Sequence, residues 1–446
     1  MAIKNVSIVT LGCSKNEIDS ELMMSILKDN NYKITNSLEN SEIIIVNTCG
    51  FINDAKEESI ETIWEMVRYK KEGKCKYLIL AGCLAQRYSK ELLEEIEEVD
   101  AIIGTGNIKN IISTIEELER GGRRLKAVED INTDYIEGVN RLSFRPTEYV
   151  RISEGCNNFC TYCIIPSLRG KHRSRKMEDI IKEVEYLSEN GVTEVILIGQ
   201  NTTDYGIDLY GEYKLYELLN RLNKIEKLKW IRLLYLYPDN ITDELIYSIK
   251  SNEKVVKYLD IPLQHVSNQI LKKMNRKTSK EDIINLIVKL RTEIPNIVIR
   301  TTFIVGFPGE EKTHFEELYD FIKEIRFDRV GVFTYSREEG TPAYDFANQV
   351  DEDMKEDRRN KIMELQQGIS YSLNREKIGN FYLALIEDIY EEGIYIGRTY
   401  MDSPDIDGIV YIKSNENLEL GQYVNVKIID SLEYDLIGEI TNEFTK

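Results

Sequence analysis

The chain has 446 residues, with 58 Lys and Arg against 77 Asp and Glu, a net charge of −19. So acidic a chain is a poor candidate for gripping nucleic acid along a broad basic face, because phosphate neutralisation supplies most of that affinity. No strong direct nucleic-acid binding is expected, and a basic partner suits the charge better. The length is that of about three domains. No apolar run approaches the roughly 20 residues of a membrane span, so no membrane association is expected and the expected location is cytoplasmic. The short apolar start ends in Leu11-Gly12-Cys13 and could be mistaken for a lipoprotein signal. It is too short for one, and Thr10 sits where such a signal wants leucine, so the stretch reads as a first strand. Seven cysteines, an odd number, favour reduced thiols serving metal or catalysis over disulfides.

Residues 1–140 carry apolar runs at Val6–Thr10, Ile43–Val46, Tyr77–Leu80 and Ala101–Ile103. Helical patterns lie between them at Asp19–Lys28, Lys56–Lys70 and Lys90–Ile96. That alternation predicts a parallel α/β sheet. Cys13, Cys49 and Cys83 each follow one of the first three strands by a few residues, and each lies beside a glycine. The C-terminal strand ends of a parallel sheet share one edge, where ligands bind. Three thiols from distant parts of the chain should therefore converge there. The alternative is three small buried residues. Cys75 precedes its strand and falls at the opposite edge.

The predicted strand Tyr149–Ser153 runs into Cys156, Cys160 and Cys163, spaced C-x3-C-x2-C. Three thiolates so close can hold one face of an iron–sulfur cube and leave the fourth iron open. The competing readings are a zinc site completed by His172, as Cys/His clusters often bind structural zinc, or three unrelated buried cysteines. Five further strands are predicted at Glu194–Ile198, Trp230–Tyr235, Tyr258–Ile261, Ile297–Val305 and Arg329–Thr334. Helices are predicted between them at Met177–Glu189, Leu215–Leu222, Thr242–Ile249, Lys280–Arg291 and Lys312–Ile325. Six strand–helix units in residues 141–374 predict a partial (β/α)6 barrel with its chemistry at the C-terminal strand ends. Polar and glycine residues follow several of these strands, among them Gly199-Gln200-Asn201 and Gly306-Phe307-Pro308-Gly309-Glu310. The cations of Arg169–Arg175 either line the mouth of that site or form a solvated basic loop.

The cysteine loop, with the aromatic Tyr162 before its last cysteine, resembles the radical S-adenosylmethionine superfamily. The resemblance implies a [4Fe-4S] cluster on Cys156, Cys160 and Cys163, with S-adenosyl-L-methionine chelating the open iron. It further implies Tyr162 against the adenine, with Gly199, Gln200 and Arg300 as additional cofactor contacts. Two three-cysteine sites in one chain resemble the methylthiotransferases, across essentially the whole length. Membership would imply a second [4Fe-4S] cluster on Cys13, Cys49 and Cys83 that carries sulfur. Both clusters would face one cavity, and the chemistry would need no acid or base side chain. An electron donor and a sulfur source are implied as partners.

Residues 375–446 change character. Short strands are predicted at Phe381–Glu387, Ile394–Tyr400, Gly408–Ile412, Tyr423–Leu432 and Leu436–Glu439, which suits a small antiparallel β-barrel. The family resemblance identifies it as a TRAM domain. It carries fifteen acidic and six basic residues, a net −9, with Asp402, Asp405 and Asp407 in one loop. Such a barrel should attract a cationic surface; the bland alternative is a solubilising acidic face. The stretches Leu11–Asn16, Ser153–Asn157, Ile261–His265 and Asp402–Asp407 resemble the branch of the family that modifies an aspartate of small-subunit ribosomal protein S-12. The other branch modifies an adenosine of transfer RNA and remains the alternative. A rival of another class is a non-catalytic iron–sulfur or zinc protein that binds ribosomes.

Overall fold

The computed structural model describes residues 4–138 and 141–441, so the expected junction at 140/141 falls partly outside the described residues. Among them, the N-terminal part is a six-stranded parallel sheet. Its strands are β1 (Asn5–Thr10), β2 (Lys33–Ile34), β3 (Ile43–Thr48), β4 (Tyr77–Ala81), β5 (Ala101–Ile103) and β6 (Leu125–Ala127), in the order β2-β1-β3-β4-β5-β6. The three helices that matter for the site are α1 (Ser14–Asp29), α2 (Asn53–Glu72) and α3 (Gly82–Arg87). β3 is buried along its whole length, as a central parallel strand covered on both faces must be. Strands β2 and β6 add one edge each, beyond the four apolar runs.

The middle of the chain starts with β7 (Thr147–Arg151). A small ribbon of β8 (Ser153–Glu154) and β9 (Arg173–Ser174) then brackets the cysteine loop. The partial barrel continues with β10 (Glu194–Ile198), β11 (Trp230–Leu233), β12 (Val255–Asp260), β13 (Val298–Val305) and β14 (Arg329–Thr334). Their order is β14-β13-β12-β11-β10-β7, all parallel. Side chains alternate across this sheet. Val195, Leu197, Ile231, Leu233, Leu259 and Ile299 pack with the covering helices. Ile196, Ile198, Trp230, Tyr258 and Val298 face the other way and join a separate apolar cluster.

That second cluster is shared. It takes in Ile18 and Leu22 of α1 and Ile386, Met401 and Val410 from the C-terminal part. The C-terminal part is a closed five-stranded barrel of β15 (Phe381–Glu391), β16 (Ile394–Thr399), β17 (Val410–Lys413), β18 (Tyr423–Ser431) and β19 (Leu436–Ile440). Four of its pairings are antiparallel. The fifth, which closes it, pairs β17 with β19 in parallel, with Val410 opposite Leu436. The barrel is therefore not wholly antiparallel.

Buried charges fix the small barrel to the core. Glu194 of β10 accepts from Arg232 at 2.9 Å and from Arg398 of β16 at 2.5 Å. Trp230 meets Tyr423 edge-on at 4.9 Å. Asp402, buried, pairs with Arg329 at 2.5 Å, and Asp407 accepts from the Tyr258 hydroxyl at 2.6 Å. The acidic loop thus does not offer three carboxylates to a basic partner: two are consumed inside this junction, and only Asp405 stands exposed. Among the described residues, no helix is long and apolar enough to cross a membrane.

Candidate active site

The N-terminal cysteines gather at the C-terminal edge of their sheet. Cys13 leads into α1, its carbonyl accepting from the Asn16 and Glu17 amides at 2.8 and 3.2 Å. Gly12 has φ +93°, and a Cβ there would stand 2.8 Å from the Cys49 Cβ and 3.1 Å from its sulfur. Glycine is what lets the loop after β1 close on the loop after β3. Cys49 is held by Ser59 of α2, whose hydroxyl accepts from the Cys49 amide at 3.0 Å and donates to its carbonyl at 2.9 Å. Cys83 is the second residue of α3 and is buried. Asn16 joins the group by donating to the carbonyls of Leu11 and Thr48 at 2.8 and 3.1 Å. Burial pushes the Cys83 thiol up to about 12 and raises that of Cys49, with Arg169 as an opposing cation in each case. Cys75 lies before β4, donates to the Tyr77 carbonyl at 3.3 Å and packs in a different cluster.

The second loop is clamped along its length. Gly155 has φ +77°, and a Cβ would collide with the Lys171 carbonyl. The Cys156 amide donates to the Gly170 carbonyl at 3.1 Å. Gln200 accepts from the Gly155 amide at 2.7 Å and donates to Glu154 at 3.0 Å. Gly199 lies so close to Ser153 that a Cβ would stand 2.4 Å from its hydroxyl. Both residues therefore set the start of the loop. Thr161 donates to Met274 from its amide and to Lys273 from its hydroxyl, at 3.1 and 2.8 Å. Its carbonyl accepts from the Ala343 amide at 2.9 Å. Phe159, exposed to 56%, holds a left-handed φ of 49°. Tyr162 packs with the cluster of Ile270, Met274, Phe307 and Tyr335 and feels the charge of Arg276. Burial lifts the Cys156 thiol to about 11 and raises that of Cys163 further.

The two loops meet. Cys83 packs with Ile164, the residue after Cys163, and with Leu168. Arg169 donates to Asn16 and Asp19 of α1, both at 2.6 Å. Arg151 reaches the same Asp19 at 2.7 Å, and Glu154 completes the buried network. Arg169, Arg173 and Arg175 line a cavity together with Asp19, Arg151 and Glu154, each held in place by its own partners. Arg175 is held by Glu137 and Glu183, and Arg173 by the carbonyls of Thr133 and Lys171. Asn16, Asp19, Arg151 and Glu154 are site-building residues that cysteine spacing does not reveal.

His172 has Nε2 at 3.1 Å from the Ser174 hydroxyl and 3.6 Å from Asp208, and its Nδ1 is buried without a partner. Among the described residues no three His, Cys, Asp or Glu side chains are grouped to hold a single metal ion. The zinc reading lacks its fourth ligand. Three thiols on a tight, glycine-opened loop suit the face of a cube better, where each sulfur binds a different iron. Arg300 departs from its expected part. It pairs with Asp260 at 2.9 Å and lies 3.5 Å from Asp407. Ile304, which shares the Tyr162 cluster, is four residues further along β13, about 13 Å at the strand rise. Arg300 braces the C-terminal barrel.

Family profiles match three segments: the uncharacterized protein family UPF0004 over residues 5–104, the radical SAM superfamily over 150–322 and the TRAM domain over 378–441. A ribosomal protein uS12 methylthiotransferase RimO of Thermoanaerobacter sp. (strain X514) is 53% identical over 98% of this chain and 100% of its own. The chain belongs to the RimO methylthiotransferase family. RimO of Acetivibrio thermocellus is 52% identical over 99% of this chain and 100% of its own, and that of Clostridioides difficile 52% over 98% and 99%. Among solved structures, the radical S-adenosylmethionine methyltransferase TsrM of Kitasatospora setae, with cobalamin and a [4Fe-4S] cluster bound, aligns at a TM-score of 0.56 and 13% identity. The match covers 77% of this chain and 74% of that one. The cobalamin-dependent radical enzyme OxsB aligns at 0.52 and 12% identity, over 81% of this chain and 56% of that one. These two likenesses speak to the fold alone.

Proposed function

We propose that this protein is a radical S-adenosyl-L-methionine methylthiotransferase that places a methylthio group on the β-carbon of an aspartate in ribosomal protein uS12. The observation that carries this reading is the meeting of two three-cysteine loops, through Cys83, Ile164 and Arg169. Membership of the RimO family supports the choice of uS12. Cys156, Cys160 and Cys163 would hold one [4Fe-4S] cluster, and Cys13, Cys49 and Cys83 the other. When bound, these groups and S-adenosyl-L-methionine supply the one-electron chemistry that breaks an unactivated C–H bond, and the sulfur and methyl group that replace the hydrogen.

The chain's own residues supply position. Gln200 and Gly199 fix where the second loop begins, and the Thr161 bonds fix where it turns. Tyr162 presents a ring beside Cys160 for a flat ligand group. Arg169 and Asp19 hold α1 against the second loop, so both sites keep one separation. Ile164 and Leu168 keep water from the side of Cys83. The working division of the chain is 1–140 for the sulfur-carrying part, 141–374 for the radical part and 375–446 for the TRAM barrel, in a cytoplasmic enzyme. An electron donor and a sulfur source must serve it.

The test is an anaerobic assay under a strong reductant with purified uS12 and, separately, transfer RNA. A methylthio mass gain on uS12 alone is the expected result. Modification of the RNA alone would replace the substrate, and no cleavage of S-adenosyl-L-methionine would sink the enzymatic reading.

A further inference from the structure

Lys15 is two residues past Cys13, in the first turn of α1, yet most of its side chain is covered: the residue is 6% exposed. Its ammonium lies 2.9 Å from the centre of the Tyr235 ring. Among the described residues it forms no ion pair and no hydrogen bond. Asp19 and Glu21 of the same helix, and Asp260 beside Tyr235, are paired with other cations. Asp19 is held by Arg151 and Arg169, Glu21 by Arg141, and Asp260 by Arg300 and the Tyr235 amide. An ammonium on a largely covered side chain usually has an anion beside it. A ring face attracts it but accepts none of its three N–H bonds in the ordinary way.

Tyr235 is itself held oddly. It has a left-handed φ of 61°, uncommon for a bulky residue. Its amide is fixed by Asp260 at 3.1 Å and its carbonyl accepts from the Thr202 amide at 3.0 Å. Tyr235 comes just after β11, at the barrel edge where ligands bind. So a cation two residues from Cys13 is parked on a ring at the C-terminal edge of the radical barrel.

We infer that Lys15 is the specificity residue of the site, its ammonium pairing with the side-chain carboxylate of the substrate aspartate. This rests on the proposed reading that an aspartate is the substrate. In aspartate the β-carbon is bonded directly to the carboxylate carbon, so an ion pair at Lys15 holds the reacting carbon beside the Cys13 loop. An adenine ring has no such group. The carboxylate of S-adenosyl-L-methionine offers the same chemistry, and the test must separate the two. A purely structural role, Lys15 on Tyr235 as a latch between α1 and the core, predicts no dependence on the substrate's charge.

The experiment measures binding of cluster-loaded enzyme to uS12 and to uS12 with its target Asp changed to Asn. The wild-type enzyme is expected to bind the Asp form about 10-fold or more tightly over the Asn form, as charge-assisted bonds are the strong ones. Lys15→Gln should weaken the Asp form by a similar factor, leave the Asn form nearly unchanged, and keep its affinity for S-adenosyl-L-methionine alone. Equal binding of both forms by the wild type overturns the inference without any enzyme variant, so failure of Lys15→Gln to fold does not protect it. Undiminished discrimination by Lys15→Gln also overturns it, and with a fall in cofactor affinity it reassigns Lys15 to the cofactor carboxylate. Wild-type enzyme that neither binds nor modifies uS12 refutes the underlying reading, and the inference with it.

Discussion

Arg169 donates to the Asn16 side chain at 2.6 Å, tying the segment after Cys163 to the helix after Cys13. The same guanidinium holds Asp19, also at 2.6 Å. Removing one partner from a buried pair leaves a charge uncompensated, at about 3–5 kcal/mol. Arg151 stays with Asp19, so Arg169→Met is expected at the low end of that range. Anaerobic denaturant titration gives the stability. In parallel, methylthio product should fall further than deoxyadenosine, because the relation between the loops is disturbed while each loop keeps its own anchors. Equal losses of both products would speak against a joining role.

Cys49→Ala and Cys83→Ala separate the two sites. The intact chain is expected to take up about eight irons, two cubes' worth, and either variant about four. Cleavage of S-adenosyl-L-methionine should survive, since Thr161, Gln200 and Gly155 hold the second loop without help from the first. Iron analysis with deoxyadenosine quantification decides it. Loss of all iron in either variant would mean that the sites do not form independently.

Glu194 sets an acid limit. Burial alone would raise its carboxyl, but Arg398 and Arg232 outweigh burial and hold it at about 2, below its ordinary 4.5. A depressed carboxylate stabilises the fold fully above pH 4.5, and that contribution is lost as pH falls from 4.5 toward 2. The span corresponds to about 3 kcal/mol. Glu194→Gln should lower stability at pH 7 by about that much and flatten the loss between these pH values. Urea midpoints across that range measure it, and unchanged pH dependence in the variant would place the acid sensitivity elsewhere.

Asp402 and Asp405 should behave as opposites despite sharing a loop. Asp402→Asn breaks the pair with Arg329 and should destabilise by about 3–5 kcal/mol, with no change in the salt dependence of uS12 binding. Asp405 is exposed, so Asp405→Asn should change stability by no more than about 0.5 kcal/mol. Any acidic steering by this loop rests on Asp405 alone. Denaturant melts with binding titrations at two ionic strengths separate the roles.

The sequence exposed the long strands because each is an apolar run bounded by polar residues. It hid β2, which is two residues long, and β6, whose Leu125–Ala127 is embedded among Arg123, Arg124 and Lys126. The parallel closure of β17 on β19 was equally hidden, since consecutive short strands lead one to expect hairpins throughout. Cysteine spacing and strand ends made both triads legible. The fate of the acidic loop was not, because the partners of Asp402 and Asp407, namely Arg329, Arg300 and Tyr258, lie 70 to 150 residues away. Charge counting gives a surface only when the fold leaves the charges there. Lys15 did leave a trace: it lies in Leu11–Asn16, one of the stretches whose resemblance pointed to the branch acting on S-12.

The anchors of the second cysteine loop imply an order of maturation. Cys13, Cys49 and Cys83 all lie on a sheet complete but for its edge strand once residue 103 has been made. The loop of Cys156, Cys160 and Cys163 is pinned by Met274 and by Ala343, so its final shape must wait for the chain to grow almost two hundred residues beyond its own last cysteine. Domains fold from the N-terminus during synthesis. On the ribosome the sheet bearing Cys13, Cys49 and Cys83 can therefore form early, while the cover of Cys83 by Ile164 and Leu168 and the anchors of the second loop come later.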